Sequence, residues 1–396
     1  MKYDFDEIID RRNTNSLKYD FARQRGKPED VIPLWVADMD FRTPPQVTEA
    51  LEAVSGHGIF GYSEVNQEYF NALYSWYAEN YDWSIKPQWL VKTPGIVFAV
   101  AMAVRAFSRE GEGVLIQQPV YYPFSETILA NGRVLVNNPL VYENGAYHMD
   151  FEDFEDKIVK NRVKLFILCN PHNPVGRVWT KEELVTIGDI CVRHGVIVVS
   201  DEIHSDFVFE GHKHRIFANL KPEYADIAIT CTAPSKTFNL AGLQVSNIII
   251  KNSGIKERIE KEIVKSGYSQ LNIMGLVACR AAYEHGREWL AQLKEYLAGN
   301  LDFTREFLVE RLPQVKLVEP QGTYLLWLDF KALGLSDEAL EALVTDKARL
   351  WLDGGLMFGA EGSGFQRINM ACPRQILKKA LLQLEEAVKG RIQNSE

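Results

Sequence analysis

Lys236 lies between a serine and a threonine in "TAPSKTFNLAGLQ", directly after an apolar run. A lysine there is either a solvated surface charge, the usual fate of lysine, or an amine kept for nucleophilic chemistry. Two other polar groups follow apolar runs in the same way: Asn173 in "NPHNPVG", after "VKLFILC", and Asp201 in "DEIH", after "GVIVVS". Each has an ordinary reading of its own. Asn-Pro pairs start turns, and an aspartate at a strand end caps the next helix. As a set, an amine, a carboxylate and a carboxamide suit pyridoxal phosphate (PLP). The lysine bonds the aldehyde, the carboxylate keeps the pyridine nitrogen protonated, and the amide hydrogen-bonds the ring oxygen.

Such groups need a scaffold that brings them together. Apolar runs rich in Val, Ile and Leu recur from about residue 113 to 251: "GVLIQQP", "RVLVNNPLV", "VKLFILCN", "GVIVVSDE", "DIAITCTA" and "VSNIIIK". Runs without polar alternation read as strands buried on both faces. Helical patterns separate several of them. In "TKEELVTIGDICVRHG" a capping box pairs Thr180 with Glu183, one face carries Leu184, Ile187 and Cys191, and Gly195 stops the helix. Strand, helix, strand in that order predicts a mostly parallel sheet wrapped by helices. In such sheets ligands bind beyond the carboxyl ends of the strands, where Asn173, Asp201 and Lys236 emerge. "KTPGIVFAVAMAVRAF" adds a helix starting near Ile96, whose free N–H groups could hold a phosphate, or which is a Pro-Gly helix start and nothing more. "QQPVYYPF" offers Tyr121 as a stacking platform.

After about residue 285 the pattern changes. A long amphipathic stretch leads to the strand-like "VKLVEPQGTYLLWLDF" and a closing helix, "ILKKALLQLEEAVKGRI". We expect an α/β large domain over residues 47–285 and a smaller α+β domain built from 1–46 and 286–396.

Bulk composition narrows the classes. With 396 residues, 46% hydrophobic and 24% charged, the chain reads as a soluble globular protein of two domains or one large body. A formal charge of −9 argues against nucleic acid or an anionic membrane as partner. Five cysteines without zinc or redox spacing, and a polar N-terminus, point to reduced thiols in the cytoplasm. No G-x-G-x-x-G follows the first strand and no G-x-x-x-x-G-K-[ST] occurs, so a nicotinamide dehydrogenase or nucleotide-binding loop is unsupported. His204, His212 and His214 lie close in "HSDFVFEGHKH" but lack ligand spacing; they read as a polar loop, with no metal site.

The ordered set "TPG", "PVYYPF", "NPHNPVG", "VSDEIHSDF", "SKTFNLAGLQ" and "GFQRINMACPR" resembles the fold-type I PLP enzymes of the class I/II aminotransferase superfamily. "FDEIIDRRNTNSLKYD" and "IPLWVADMDF" resemble, more narrowly, the N-terminus of the cystathionine β-lyase type C–S lyases, the MalY/PatB group. The likeness runs from about residue 5 to 390. It implies Lys236 as the cofactor lysine, Asp201 as partner of the pyridine nitrogen, Asn173 on the ring hydroxyl and Tyr121 as the stacking ring. Gly95, Ile96 and Val97 would hold the phosphate through backbone N–H groups, aided by Ser235. Tyr62 in "FGYSE" would reach the phosphate of a neighbouring subunit, which implies a homodimer with shared sites. Arg367 in "FQRIN" would grip the substrate α-carboxylate, with Trp35 and Ala37 in the substrate pocket.

Two positions depart from the aminotransferase pattern. His204 replaces a tyrosine bonded to the ring oxygen, and Gln244 an arginine bonded to the phosphate. Both departures resemble the lyases. The implied reaction is α,β-elimination from an amino-acid thioether, giving a thiol, pyruvate and ammonia, with Tyr121 or Tyr62 assisting the leaving group. An aminotransferase sharing the same early chemistry, and a PLP-fold protein that regulates by binding a partner, are the alternatives.

Overall fold

The computed structural model describes residues 2–393. Its centre is a seven-stranded sheet of β1 (Leu90–Thr93), β2 (Gly113–Ile116), β3 (Val134–Asn137), β4 (Leu165–Cys169), β5 (Ile197–Asp201), β6 (Ala228–Thr232) and β7 (Ser246–Ile249). The strand order is β1-β7-β6-β5-β4-β2-β3. Every residue of β4 and β6 is buried. The reason is two-sided burial: alternate residues feed two different cores. Leu165 and Ile167 pack with the helix α1 (Ile96–Phe107) on one face, and Phe166 and Leu168 pack on the other. This accounts for the apolar runs of the central strands; β3, at the edge of the sheet, departs from the expectation, with Val134 exposed and only Val136 buried.

The helix α2 (Lys181–His194) carries both halves of the expected capping box, with Leu184, Ile187 and Cys191 buried and Gly195 left-handed at its end. The sheet is parallel from β3 through β6, as the strand–helix order predicts. β7 is the exception, running antiparallel to both β6 and β1. Residues 233–245 hold only the one-turn helices Pro234–Thr237 and Ala241–Leu243. Without a crossover helix to carry the chain back, the next strand returns in the opposite sense. The outer strand β1 alternates half-buried and buried residues, so no apolar run announces it.

A second, antiparallel sheet follows the 25-residue helix Arg287–Arg311. Its strands are β8 (Lys316–Val318), β9 (Leu325–Asp329), β10 (Asp353–Gly354) and β11 (Phe365–Asn369), in the order β8-β9-β11-β10. The strand-like stretch of the sequence is thus two strands, paired antiparallel. The N-terminal residues join this part of the molecule: Ile32 and Pro33 pair parallel with Leu350 and Trp351, and Trp35 stacks on Trp351 at 4.4 Å.

Candidate active site

Strand register explains how residues far apart in sequence meet. Cys169 at the end of β4 lies beside Asp201, and Asp201 beside Cys231 of β6. Asn173 and Lys236 follow four and five residues beyond those neighbours, so both enter the crevice where Asp201 ends β5. In the small sheet, Arg367 is the middle residue of β11 and faces Trp327 on one side and Asp353 on the other. The segment Trp35–Phe41 is hydrogen-bonded both to Lys236 and Asn239, which follow β6, and to Arg367 and Asn369 of β11.

These elements enclose a cavity of about 280 Å³. Lys236, Asp201, Asn173, Tyr121, Gly95, Ile96, Val97, His204, Ser235, Gln244, Arg367, Trp35 and Ala37 all line it. Tyr62 does not. It is 96% exposed, on the surface segment that leads into the helix Gln67–Tyr81. A further cavity, between the N-terminal segment and the last helix, includes Lys18 and Asp40, which already pair with each other at 2.9 Å.

The Lys236 amine donates to the Ala37 carbonyl at 2.7 Å. Desolvation pulls its pKa down to about 8; Asp38 and Asp201 oppose that shift and Arg367 adds to it. The amine is therefore much closer to neutrality at physiological pH than an ordinary lysine. Asp201 is 4% exposed, and burial pushes its carboxyl up to about 7, partly offset by the Ile203 amide and by Lys236. A buried carboxyl shifted that far lacks a close cation. A protonated ring nitrogen would supply one.

Arg367, 3% exposed, spends its guanidinium on three acceptors. Nη1 donates to Asn173 Oδ1 at 2.9 Å, and Nη2 donates to the Trp35 carbonyl at 2.9 Å and to Asp353. Its Nε is buried without a partner, as is Nδ1 of His204. Two orphaned polar atoms in one cavity call for a polar ligand. At the start of α1, Gly95 faces open space where a side chain would sit, beside the unsatisfied first-turn amides that suit a phosphate. An amine, an uncompensated carboxyl and a phosphate-ready helix start fit PLP.

The histidines behave differently from a polar loop. His212 is exposed, but His204 and His214 are buried. His204 reaches the cavity, where desolvation, then Lys236 and Arg367, hold its pKa well below the usual value. His214 hydrogen-bonds the buried Glu202 at 2.9 Å. Among the described residues no His, Cys, Asp or Glu cluster could hold a metal, and all five cysteines are unbridged and buried.

Sequence reasoning missed Asp353 and Tyr324. Asp353 pairs with Arg367, and the Tyr324 hydroxyl donates to the Ala37 carbonyl at 2.9 Å. Neither residue stands in a recognisable motif. A carboxylate beside a buried arginine could have been sought once Arg367 was singled out, but only strand pairing says which one.

An α/β sheet with a desolvated lysine at its strand ends, facing a buried carboxyl and a phosphate-ready helix, defines a protein built to hold an aldehyde cofactor. Residues 29–384 match the family described as aminotransferase class I and II, and the chain belongs to that family. It is 44% identical over 384 residues to cystathionine beta-lyase PatB of Bacillus subtilis, covering 97% of this chain and 99% of the relative. Protein MalY of Escherichia coli is 34% identical over 390 residues, with 98% and 99% covered. Among solved structures, cystalysin from Treponema denticola, which contains a pyridoxal 5'-phosphate cofactor, is similar at a TM-score of 0.95. The two are 38% identical, with 99% of this chain and 100% of that one covered.

Proposed function

We propose that this protein is a PLP-dependent carbon–sulfur β-lyase, which converts cystathionine or a related cysteine S-conjugate and water into a thiol, pyruvate and ammonia. The observation that carries the reading is the desolvated Lys236 amine sharing one cavity with Asp201 and Arg367, in a chain closely similar to a cystathionine β-lyase.

The cofactor, when bound at Lys236, supplies an electron sink for charge developing on the substrate Cα. The chain's own residues do the rest. Arg367 presents a planar fork to the α-carboxylate, placing Cα within reach of Lys236. The Lys236 amine, whose hold on its proton desolvation weakens, would take the Cα proton. Asp201 would hold a proton on the ring nitrogen. Asn173 accepts from Arg367 Nη1 and would donate to the ring oxygen, which would link cofactor and carboxylate recognition. Gly95, Ile96, Val97 and Ser235 would hold the phosphate, Tyr121 would face the ring, and Trp35 and Ala37 would wall the substrate side. His204, with its unpartnered Nδ1, lines the same cavity and would be available to the cofactor. Tyr121 or Tyr62 assists departure of the thiolate.

The test is incubation of purified protein with cystathionine while pyruvate and free thiol are followed. Keto acid formed stoichiometrically, only with an amino acceptor and without thiol, would instead make the protein an aminotransferase. A related outcome concerns pH. Only the neutral amine attacks an aldehyde, so PLP uptake by cofactor-free protein should rise with pH and level off above about 8. Stopped-flow absorbance checks this; uptake still climbing at pH 10 would mean an unshifted lysine.

We also infer a homodimer. Ile59, Phe60 and Tyr62 are 71%, 61% and 96% exposed on one segment, an apolar surface that a second copy would cover. Tyr62 would then reach the neighbouring phosphate. Gln244 lines the cavity and brings no charge to that phosphate, so the cradle depends on backbone amides, hydroxyls and the second subunit. Dilution to monomer should therefore release PLP, measurable by light scattering with cofactor absorbance; monomers that keep PLP would refute it. The division into 47–285 and 1–46 with 286–396 is our working view of the domains; Met1 and residues 394–396 lie outside the described residues. We place the protein in the cytoplasm. Among the described residues no helix is long and apolar enough to cross a membrane.

A further inference from the structure

The segment Trp35–Phe41 carries two carbonyls with unusual partners. The Ala37 carbonyl accepts from the Lys236 amine, and the Trp35 carbonyl accepts from Arg367 Nη2. The segment has no regular secondary structure of its own to fix those carbonyls. Two asparagines do so from opposite sides. Asn369, two residues beyond Arg367 on β11, donates to the carbonyls of Val36 and Asp38, both at 2.6 Å, gripping the chain on either side of Ala37. Asn239, three residues beyond Lys236, donates to the carbonyls of Met39 and Phe41 at 2.9 Å and accepts from the Met39 amide at 2.9 Å. Asn369 thus brackets Ala37, the acceptor of Lys236, while Asn239 anchors the far end of the segment from a position three residues beyond Lys236.

We propose that Asn239 and Asn369 are positioning residues of the lyase reaction: they lock the strap Trp35–Phe41 so that one backbone segment aims both the Lys236 amine and the Arg367 guanidinium. The inference rests on the function proposed above and deepens it. Asp38 belongs to the same strap. Arg11 at 2.6 Å and Lys18 at 3.5 Å hold it ionised, although burial works against them. It is the largest influence favouring the protonated Lys236. The strap therefore sets both the direction and the proton affinity of the amine. The charged and titratable groups facing that amine are Asp38 on the strap, Asp201 at the end of β5 and His204 just beyond it, Arg367 on β11, and the Tyr324 hydroxyl, which shares the Ala37 carbonyl.

The test uses the full chain with Asn369→Ala and, separately, Asn239→Gly. Glycine suits the second site because Asn239 holds a positive φ of 59°, which alanine would strain. Two quantities are read. One is the labelling of Lys236 by limiting acetic anhydride across pH in the cofactor-free protein, followed by peptide mass spectrometry. The other is kcat and KM on cystathionine in the PLP-loaded protein. With the strap loosened, Lys236 loses its acceptor and its favourable charge, so the labelling midpoint should fall by about one pH unit. Kcat should drop and KM rise together, because one strap serves both residues. A merely structural role would lower the melting temperature and leave the midpoint in place. A midpoint unmoved or raised in the folded variants overturns the proposal, as does loss of cooperative folding in both. If the wild type releases no thiol from cystathionine, the lyase reading fails, while the labelling midpoints still decide the role of the strap.

Discussion

Lys236→Ala is expected to abolish thiol release from cystathionine, by at least about 10⁴-fold, while the protein stays folded and its melting temperature at pH 7 does not fall. The activity loss follows from the proposed double role of one amine, which would both bond the cofactor and take the substrate proton. The stability outcome follows from linkage. The amine titrates near 8 in the folded chain, below the value of about 10.4 for an unfolded lysine. Between those values the unfolded chain binds more protons, so stability contributed by this group rises with pH; below about 8 the buried lysine carries its full cost. Alanine removes that cost. The Ala37 carbonyl keeps the Tyr324 hydroxyl as donor, so no acceptor is orphaned. A calorimetric scan beside the pyruvate and thiol assays reads both effects. Activity within tenfold of wild type would remove Lys236 from the chemistry.

Arg367→Ala is expected to fail in a different way, losing activity and stability together. Removing the guanidinium would take away the proposed carboxylate fork, a loss of roughly 10²–10³ in kcat/KM for one partner of a buried charge pair. It also strands Asp353, which is buried and whose pKa is raised by desolvation even with the arginine present. Breaking a buried pair from one side costs about 3–5 kcal/mol. Two further variants separate the effects. Arg367→Lys returns the charge beside Asp353 but cannot reach Asn173, the Trp35 carbonyl and Asp353 with one planar group, so stability should recover more than activity. Arg367→Ala with Asp353→Asn should restore much of the stability and none of the activity. Urea unfolding with steady-state kinetics on all three decides it. A lysine variant with wild-type KM would show that the fork is not what grips the substrate.

The motif residues are legible in the sequence because each is an ordered signal at a strand end. "NPHNPVG", "SDEIH" and "SKTFNLAGLQ" come directly after apolar runs, and buried parallel strands deliver their C-terminal loops to one edge of the sheet. Thr180 and Glu183 are legible for a local reason: a capping box closes within four residues and needs no tertiary partner. The antiparallel return of β7 is harder to see. Its apolar run is indistinguishable from those of its parallel neighbours, and its only local sign is that residues 233–245 hold no crossover helix. The buried His204 and His214 defeat a local reading, because a short run of polar residues looks like surface until the elements packed over it are known.

Local sequence determined which polar residues leave the strand ends, the edge on which they gather and the helix start beside them, since periodicity, caps and turn residues act over a few positions. Tertiary structure alone decided their chemistry. Asp353 meets Arg367 through the pairing of β10 with β11, and Ala37 meets Lys236 across 199 residues of chain. The pKa values near 8 for Lys236 and near 7 for Asp201 exist only because packing removes water from both groups. Desolvation depends on everything that surrounds a side chain, and no stretch of neighbouring sequence carries that information.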